Sequence, residues 1–140
     1  MTSRLNPYIN VPDGRAREAV EFYRSVLGGE LSIMTFGDMG MEGDTANLVM
    51  HSQLETPAGY TLMVADAPEG MVEVTYGNNI SVSLSGDDTE ALTGYFNGLA
   101  EGGKIAMPLE LQGWGDVFGQ IVDKFGISWL VNIAGEGNQG

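Results

Sequence analysis

The feature that most constrains the fold of this chain is an internal repeat of one helical segment. Four residue types recur 72 positions further on (90 − 18 and 99 − 27), as Glu18/Glu90, Ala19/Ala91, Tyr23/Tyr95 and Leu27/Leu99. A Gly-Gly pair follows the segment both times, and strand signals precede and follow it in the same order. Duplication of a supersecondary unit repeats the order of its elements. We therefore predict two βαβββ repeats, at about residues 4–66 and 78–133, within one domain over residues 1–133.

The first repeat combines helical spacing with one strongly alternating stretch. Its elements are predicted at residues 5–11, 16–27, 30–36, 46–54 and 60–65. Successive side chains of a strand point to opposite faces of its sheet. In the 46–54 stretch we therefore expect one face to carry Asn47, Val49, His51 and Gln53, and the other to carry Ala46, Leu48, Met50 and Leu54.

The second repeat ends in a predicted hairpin. Two apolar-rich runs, residues 117–122 and 127–133, are joined by Asp-Lys-Phe-Gly. Glycine adopts positive φ at no steric cost and Asp bonds its own backbone, so these four residues predict a turn. Trp129 falls on the apolar side of the alternation and is predicted to lie in the core. Earlier in the repeat, Asp87 and Glu90 have the spacing of a helix N-cap and its capping-box partner.

Composition excludes several classes of partner. The 140 residues carry 19 acids against 6 bases, a net charge of −13, which repels nucleic acid and anionic membrane surfaces. There is no cysteine, so disulfides and thiolate sites are excluded. No apolar run has the length of a signal peptide or a membrane span, and we expect a cytoplasmic protein. Residues 134–140 are predicted to form a disordered polar tail.

Several motifs together resemble a known superfamily. They are E-A-V-E-F-Y-R-S-V-L-G-G-E at residues 18–30, P-Y-I-N at 7–10, V-M-H at 49–51, A-D-A-P at 65–68 and the hairpin sequence from Trp114 onward. Set in a duplicated βαβββ pattern, they resemble the vicinal oxygen chelate superfamily of glyoxalase I, bleomycin-resistance proteins and extradiol dioxygenases. More narrowly, they resemble its PhnB-like branch. The resemblance implies an α+β fold of two paired βαβββ modules, whose mixed sheets curve around a cavity, and a homodimer.

The resemblance also allows a test for the metal site of the superfamily. Metal-dependent relatives hold a divalent ion with His, Gln or Glu from the first and fourth strands of each half. Those positions fall at about Pro7, Met63, Asn79 and Leu130, which offer no imidazole or carboxylate. We therefore expect no metal there, although a different site using His51 with an acidic neighbour, Glu55 or Asp66, stays open. No Gly-rich loop joins the first strand to the first helix, so no nucleoside cofactor is expected.

Two residues of the alternating strand are the first candidates for ligand contact. His51 is the only histidine, and Gln53 shares its predicted face. If that face lines the cavity, the imidazole could hydrogen-bond a ligand or move a proton near neutral pH. The alternative is an ordinary hydrogen-bonded histidine in a strand.

Three further residues have both a ligand-binding and a structural interpretation. Asn79 is a neutral donor and acceptor where relatives often place a ligand, or a cap between loop and strand. Asp66 marks the mouth of the cavity or bonds the turn that follows it. Trp114, between two glycines, forms a cavity wall or a dimer contact.

The sequence favours a PhnB-like protein that binds a small molecule in an inter-sheet cavity without the usual metal ligands. Whether it catalyses a reaction is left open. One alternative is a metal-dependent lyase, isomerase or dioxygenase, which would lose activity on chelation. Another is a drug-sequestering protein of the bleomycin-resistance type, which would bind tightly without turnover.

Overall fold

A computed structural model describes residues 3–135 of the chain. Residues 136–140 of the predicted tail lie outside that part. The chain divides into two compact units, Met1–Thr75 and Tyr76–Gly140. Among the described residues, no helix has the length and apolar character needed to cross a membrane.

Each unit has the predicted order of one helix among four strands. The first contains β1 (Tyr8–Val11), α1 (Ala16–Leu27), β2 (Glu30–Thr35), β3 (Val49–Glu55) and β4 (Thr61–Asp66), with a short 3-10 helix at Gly37–Met39 between β2 and β3. The second contains β5 (Val82–Gly86), α2 (Thr89–Ala100), β6 (Lys104–Leu111), β7 (Val117–Val122) and β8 (Ser128–Ile133). The prediction of an α+β fold with two βαβββ modules is confirmed.

The sheet of the first unit has the strand order β1-β4-β3-β2. Strands β1 and β4 are parallel, and the other neighbours are antiparallel, so the sheet is mixed. Helix α1 packs on one face, against β3 and β4. Its buried side chains are Ala16, Ala19, Val20, Tyr23 and Leu27, which recur at helical spacing as the sequence predicts.

The second unit repeats this topology in the order β5-β8-β7-β6. Helix α2 packs against β7 and β8, with Leu92 and Phe96 among its buried residues. Trp129 is 1% exposed, which confirms its predicted place in the core. The predicted hairpin is β7 and β8, joined through Asp123 and Gly126 as expected.

The two units share the predicted order of elements, but their helices align one residue away from the 72-residue offset of the sequence repeat. Helices α1 and α2 each have 12 residues, and their starts and ends differ by 73 (89 − 16 and 100 − 27). Tyr23 therefore corresponds to Phe96, which is buried, and not to the partly exposed Tyr95. In both units the second residue of the Gly-Gly pair lies against a carbonyl oxygen. A Cβ would come within 2.1 Å of Glu55 O at Gly29 and within 2.3 Å of Val122 O at Gly103.

The start of α2 corrects one further expectation. The N-cap is Asp88, whose Oδ1 accepts a hydrogen bond of 3.0 Å from the backbone N–H of Ala91. The prediction of Asp87 as the cap was wrong by one residue. Two adjacent aspartates offer the same capping group, and only the backbone angle at the helix entry decides between them.

Candidate functional site

The face of the first sheet opposite α1 carries polar, aromatic and thioether side chains. The paired register of the four strands places them together, because residues opposite each other share a face. We call this surface the open face and define it by Tyr8 on β1, Ser32 and Met34 on β2, His51, Gln53 and Glu55 on β3, and Thr61 and Met63 on β4.

A β-bulge determines which residues of β3 reach the open face. Met34 pairs with His51 but the next residue, Thr35, pairs with Val49, so Met50 is an extra residue in β3. The bulge reverses the alternation, and Val49 is completely buried on the helix side together with Ser52 and Leu54. The predicted face was therefore right for His51 and Gln53 and wrong for Val49. Residues 46–48, also predicted as strand, lie in a turn before β3.

Tyr8 and His51 form a ring pair on the open face. Their ring centroids are 5.8 Å apart with the planes tilted by 33°, although β4 lies between their strands. Tyr8 is 50% exposed, and Met34, which is opposite His51 in the register, is 42% exposed. An imidazole, a phenol and a thioether thus meet at one accessible place. Together they offer apolar contact area and groups that donate or accept hydrogen bonds.

A carboxylate network occupies another part of the open face. Glu55 accepts hydrogen bonds from Gln53 Nε2 (2.6 Å), from Thr61 Oγ1 (2.9 and 3.1 Å) and from Arg4 Nη1 (2.8 Å). The hydrogen bond from Gln53, followed by those from Thr61, lowers the pKa of Glu55 from its usual 4.5. Glu55 is therefore ionised at neutral pH, and its charge is paired with that of Arg4 at 2.8 Å. The contact with Glu55 also fixes the orientation of the Gln53 amide.

Asp66 lies at the end of β4 with a carboxylate that is almost fully buried. Its Oδ1 accepts from the backbone N–H of Ala16 (2.9 Å) and its Oδ2 from that of Val49 (2.7 Å). One side chain thus joins the start of α1 and the start of β3 to β4. A negative group at a helix N-terminus is also favoured by the dipole of the helix.

The two other predicted site residues belong to the second unit. Asn79 is exposed in a segment without regular structure before β5. Trp114 is 59% exposed, and its ring makes an edge contact with Phe118 at 6.0 Å between centroids. Of the five candidates, the structure brings only His51 and Gln53 onto one face.

The sequence patterns did not identify Tyr8 and Met34 as members of the open face, and they suggested Glu55 only as a possible metal ligand beside His51. Tyr8 was visible only as part of the P-Y-I-N motif, and its alternation with the buried Ile9 and Val11 is the signal that could have identified it. In β2, the exposed Met34 alternates in the same way with the less exposed Ile33 and Thr35. The contacts of Glu55 join three separate segments, and no local pattern reports them.

By resemblance, the ligand positions of metal-dependent relatives fall at about Pro7, Met63, Asn79 and Leu130. Pro7, Met63 and Leu130 have no nitrogen or oxygen in their side chains that could bind a divalent ion. Within residues 3–135, no group of three or more histidines and carboxylates is arranged to hold a metal. Of the acidic neighbours considered for His51, Asp66 bonds the backbone and Glu55 bonds Gln53, Thr61 and Arg4.

Comparison with known families agrees with the fold of two βαβββ units. The family model described as the Glyoxalase/Bleomycin resistance protein/Dioxygenase superfamily matches residues 6–131, which is nearly the whole described chain. The chain belongs to this superfamily. Protein YjdN of Escherichia coli K12 is 30% identical over 145 residues, covering 92% of this chain and 94% of YjdN.

Solved structures place the chain near the PhnB-like members of the glyoxalase superfamily. The crystal structure of protein PA1353 from Pseudomonas aeruginosa is similar with a TM-score of 0.77 and 32% identity, covering 93% of this chain and 98% of PA1353. A PhnB protein from Bacillus cereus has a TM-score of 0.69 and 26% identity, covering 93% of this chain and all of the PhnB chain. The resemblance inferred from the motifs is confirmed.

Proposed function

We propose that this glyoxalase-superfamily protein binds a small organic molecule on the open face, without the metal ligands of its metal-dependent relatives. The observation that carries the proposal is the ring pair of the half-exposed Tyr8 and the partly buried His51. Binding sites are mostly apolar with a few well-placed polar groups, and the pair with its neighbour Met34 has this character. Any reaction at this site would use the imidazole as its proton donor or acceptor.

The arrangement favours a ligand with a flat apolar body and one hydrogen-bonding group. Tyr8 and Met34 offer contact area for the body, and His51 offers a ring nitrogen for the polar group. Gln53 donates a hydrogen bond to Glu55, and the two side chains together form one edge of the site. Asn79, Trp114 and Asp66 are not required for this minimal site.

A ligand screen by thermal shift tests the proposal directly. We expect neutral aromatic compounds to raise the melting temperature, and the best of them to bind by calorimetry. His51→Ala and Tyr8→Ala should each weaken that binding by about 10-fold or more, as truncation of a central contact residue does. Met34→Ala should weaken it less.

Met39→Ala is the matched control, because Met39 is 60% exposed on the short 3-10 helix and is not part of the open face. It should bind like the unchanged protein. Equal binding by folded His51→Ala and Tyr8→Ala variants would refute the site. A screen without any stabilising compound would refute the binding function.

We also propose that the protein is a cytoplasmic homodimer. The edge strand β6 supports the dimer, because Ile105, Met107 and Leu111 on it are exposed. Unpaired edges with apolar side chains favour association with another chain. Light scattering on the purified protein should give twice the monomer mass of 14.9 kDa. A monomer at micromolar concentration would contradict this.

A further inference from the structure

A pocket of about 730 Å³ lies within the first unit, apart from the residues that define the open face. Three segments line it, residues 12–14 after β1, Leu48 before β3, and residues 67–74 after β4. Sites for drug-sized ligands measure about 300–1,000 Å³. The volume is therefore sufficient for a whole small molecule, and none of the open-face side chains lines it.

The lining of this pocket combines apolar groups with carboxylates of one sign. Asp13, Glu69 and Glu73 are its charged residues, and within residues 3–135 neither Lys, Arg nor His lines it. The apolar part includes Leu48, Pro68, Met71 and Val72. Negative charges around low-dielectric walls concentrate cations, and the net charge of −13 strengthens that field.

The backbone of the lining is held in place by hydrogen bonds. Ala67 N donates to Val11 O (2.9 Å), which continues the pairing of β1 and β4 into the pocket wall. Met71 N and Val72 N both donate to Pro68 O, at 3.0 and 3.1 Å, and so fold the segment into a turn. Pro68 is buried, and it therefore provides a fixed wall.

Two apolar side chains on this turn are left accessible to solvent. Met71 is 57% exposed and Val72 is 41% exposed, although both line the pocket. The unbranched thioether of methionine adapts to apolar surfaces of different shape. Exposed apolar groups beside carboxylates suit a ligand that is itself part apolar and part cationic.

An organic cation fits this lining better than a metal ion. Ca²⁺ and Mg²⁺ require several oxygen ligands at 2.0–2.6 Å around one point. Among the described residues no such group of carboxylates exists. A diffuse ammonium or guanidinium charge needs only nearby carboxylates, and its hydrocarbon part can cover Met71 and Val72.

We propose that this pocket is a second binding site, which takes small organic cations with an apolar body, such as aryl-alkyl ammonium compounds. The site goes beyond the proposed function of the open face and does not depend on it. Binding at the pocket would bring the ligand to residues 67–74 and leave the Tyr8–His51 ring pair unoccupied.

A matched pair of probes tests the charge requirement on the full chain. Benzyltrimethylammonium carries the cation, and 2,2-dimethylpropylbenzene is its neutral isostere. We expect the cation to bind saturably by NMR titration, with shifts centred on residues 67–74, and the neutral probe to bind at least about 10-fold more weakly. Raising the salt concentration should weaken cation binding, because exposed charges are screened.

Charge-removing variants test the assigned residues. Glu69→Gln and Glu73→Gln should each weaken binding of the cation by about 2- to 5-fold, as exposed ion pairs do, and the double variant by about 10-fold. Glu42→Gln is the matched control, because Glu42 is an exposed acid of the same unit that does not line the pocket. It should leave the affinity unchanged.

Three outcomes would overturn the proposal. They are no saturable binding of the cation, equal binding of the neutral isostere, and full affinity in the Glu69→Gln/Glu73→Gln variant. Both side chains are exposed, so the variants should remain folded, and the melting temperature verifies this. Cation shifts centred on His51 instead of residues 67–74 would assign the binding to the open face and also refute the second site.

Discussion

The indole nitrogen of Trp129 donates a 2.8 Å hydrogen bond to the carboxylate of Asp123, and both residues are at least 97% buried. The other oxygen of Asp123 accepts from the backbone N–H groups of Phe125 (2.8 Å) and Ile127 (3.1 Å). One buried carboxylate thus closes the turn between β7 and β8 and orients the core tryptophan. Its burial is tolerated because donors surround it.

Removal of the Asp123 carboxylate should destabilise the second unit strongly. Asp123→Ala leaves buried donors without their acceptor, and we expect it to lower the free energy of unfolding by about 3 kcal/mol or more. Trp129→Phe removes one donor and some packing, and about 2 kcal/mol is expected. Urea unfolding followed by circular dichroism measures both changes. An Asp123→Ala protein within about 0.5 kcal/mol of the unchanged chain would contradict this account.

The two aspartates before α2 should differ sharply in their contribution to stability. Asp88 accepts from Ala91 N, so Asp88→Ala should lower the free energy of unfolding by about 1 kcal/mol. Asp87 is exposed, and Asp87→Ala should change it by less than about 0.5 kcal/mol. The pair is its own control, because the substitutions are identical and adjacent. Equal losses would show that the two residues share the cap.

Periodicity predicted the elements well, because burial on one side of a helix or strand leaves a direct pattern in the residues. Helix α1 and strand β7 have the predicted bounds. Strand β3 shows where periodicity fails to predict the faces of a strand. Its sequence alternates from Ala46 onward, but the bulge at Met50 changes the faces, and a bulge depends on pairing with β2.

The candidate site was predicted in part for a related reason. His51 and Gln53 share a face within one strand, so sequence alone could pair them. The approach of Tyr8 to His51 requires the register of three strands, which local patterns do not specify. Asp66 bonds Ala16 and Val49, 50 and 17 residues away, whereas the sequence suggested only its own turn or a cavity mouth.

Asp66 should prove important for stability. Asp66→Ala removes the acceptor of two backbone N–H groups, and we expect a loss of about 3 kcal/mol in the free energy of unfolding. Asp66→Asn keeps one acceptor oxygen, and its free energy of unfolding should fall by less than that of Asp66→Ala. Asp44→Ala, at an exposed loop position, is the control and should change stability by under about 0.5 kcal/mol. Wild-type stability of Asp66→Ala would show that the carboxylate is not structural.

The acidity of Glu55 should depend on Gln53. Since the hydrogen bond from Gln53 is the largest cause of the lowered pKa, Gln53→Leu should raise the pKa of Glu55 toward its usual 4.5. A carboxyl with a lowered pKa in the folded state stabilises the fold above its usual pKa, and this contribution is lost as the pH falls through the lowered value. The stability advantage of the unchanged protein over Gln53→Leu should therefore be largest above pH 4.5 and shrink in acid.

A carbon-13 NMR titration of the Glu55 carboxyl measures the pKa, and urea unfolding at several pH values measures the stability difference. Gln112→Leu is the control, because Gln112 lies in the second unit and donates to a backbone oxygen, that of Glu110. It should leave the titration of Glu55 unchanged. If Gln53→Leu also leaves it unchanged, the amide does not hold the carboxylate, and the edge of the open face is set by Thr61 and Arg4 instead.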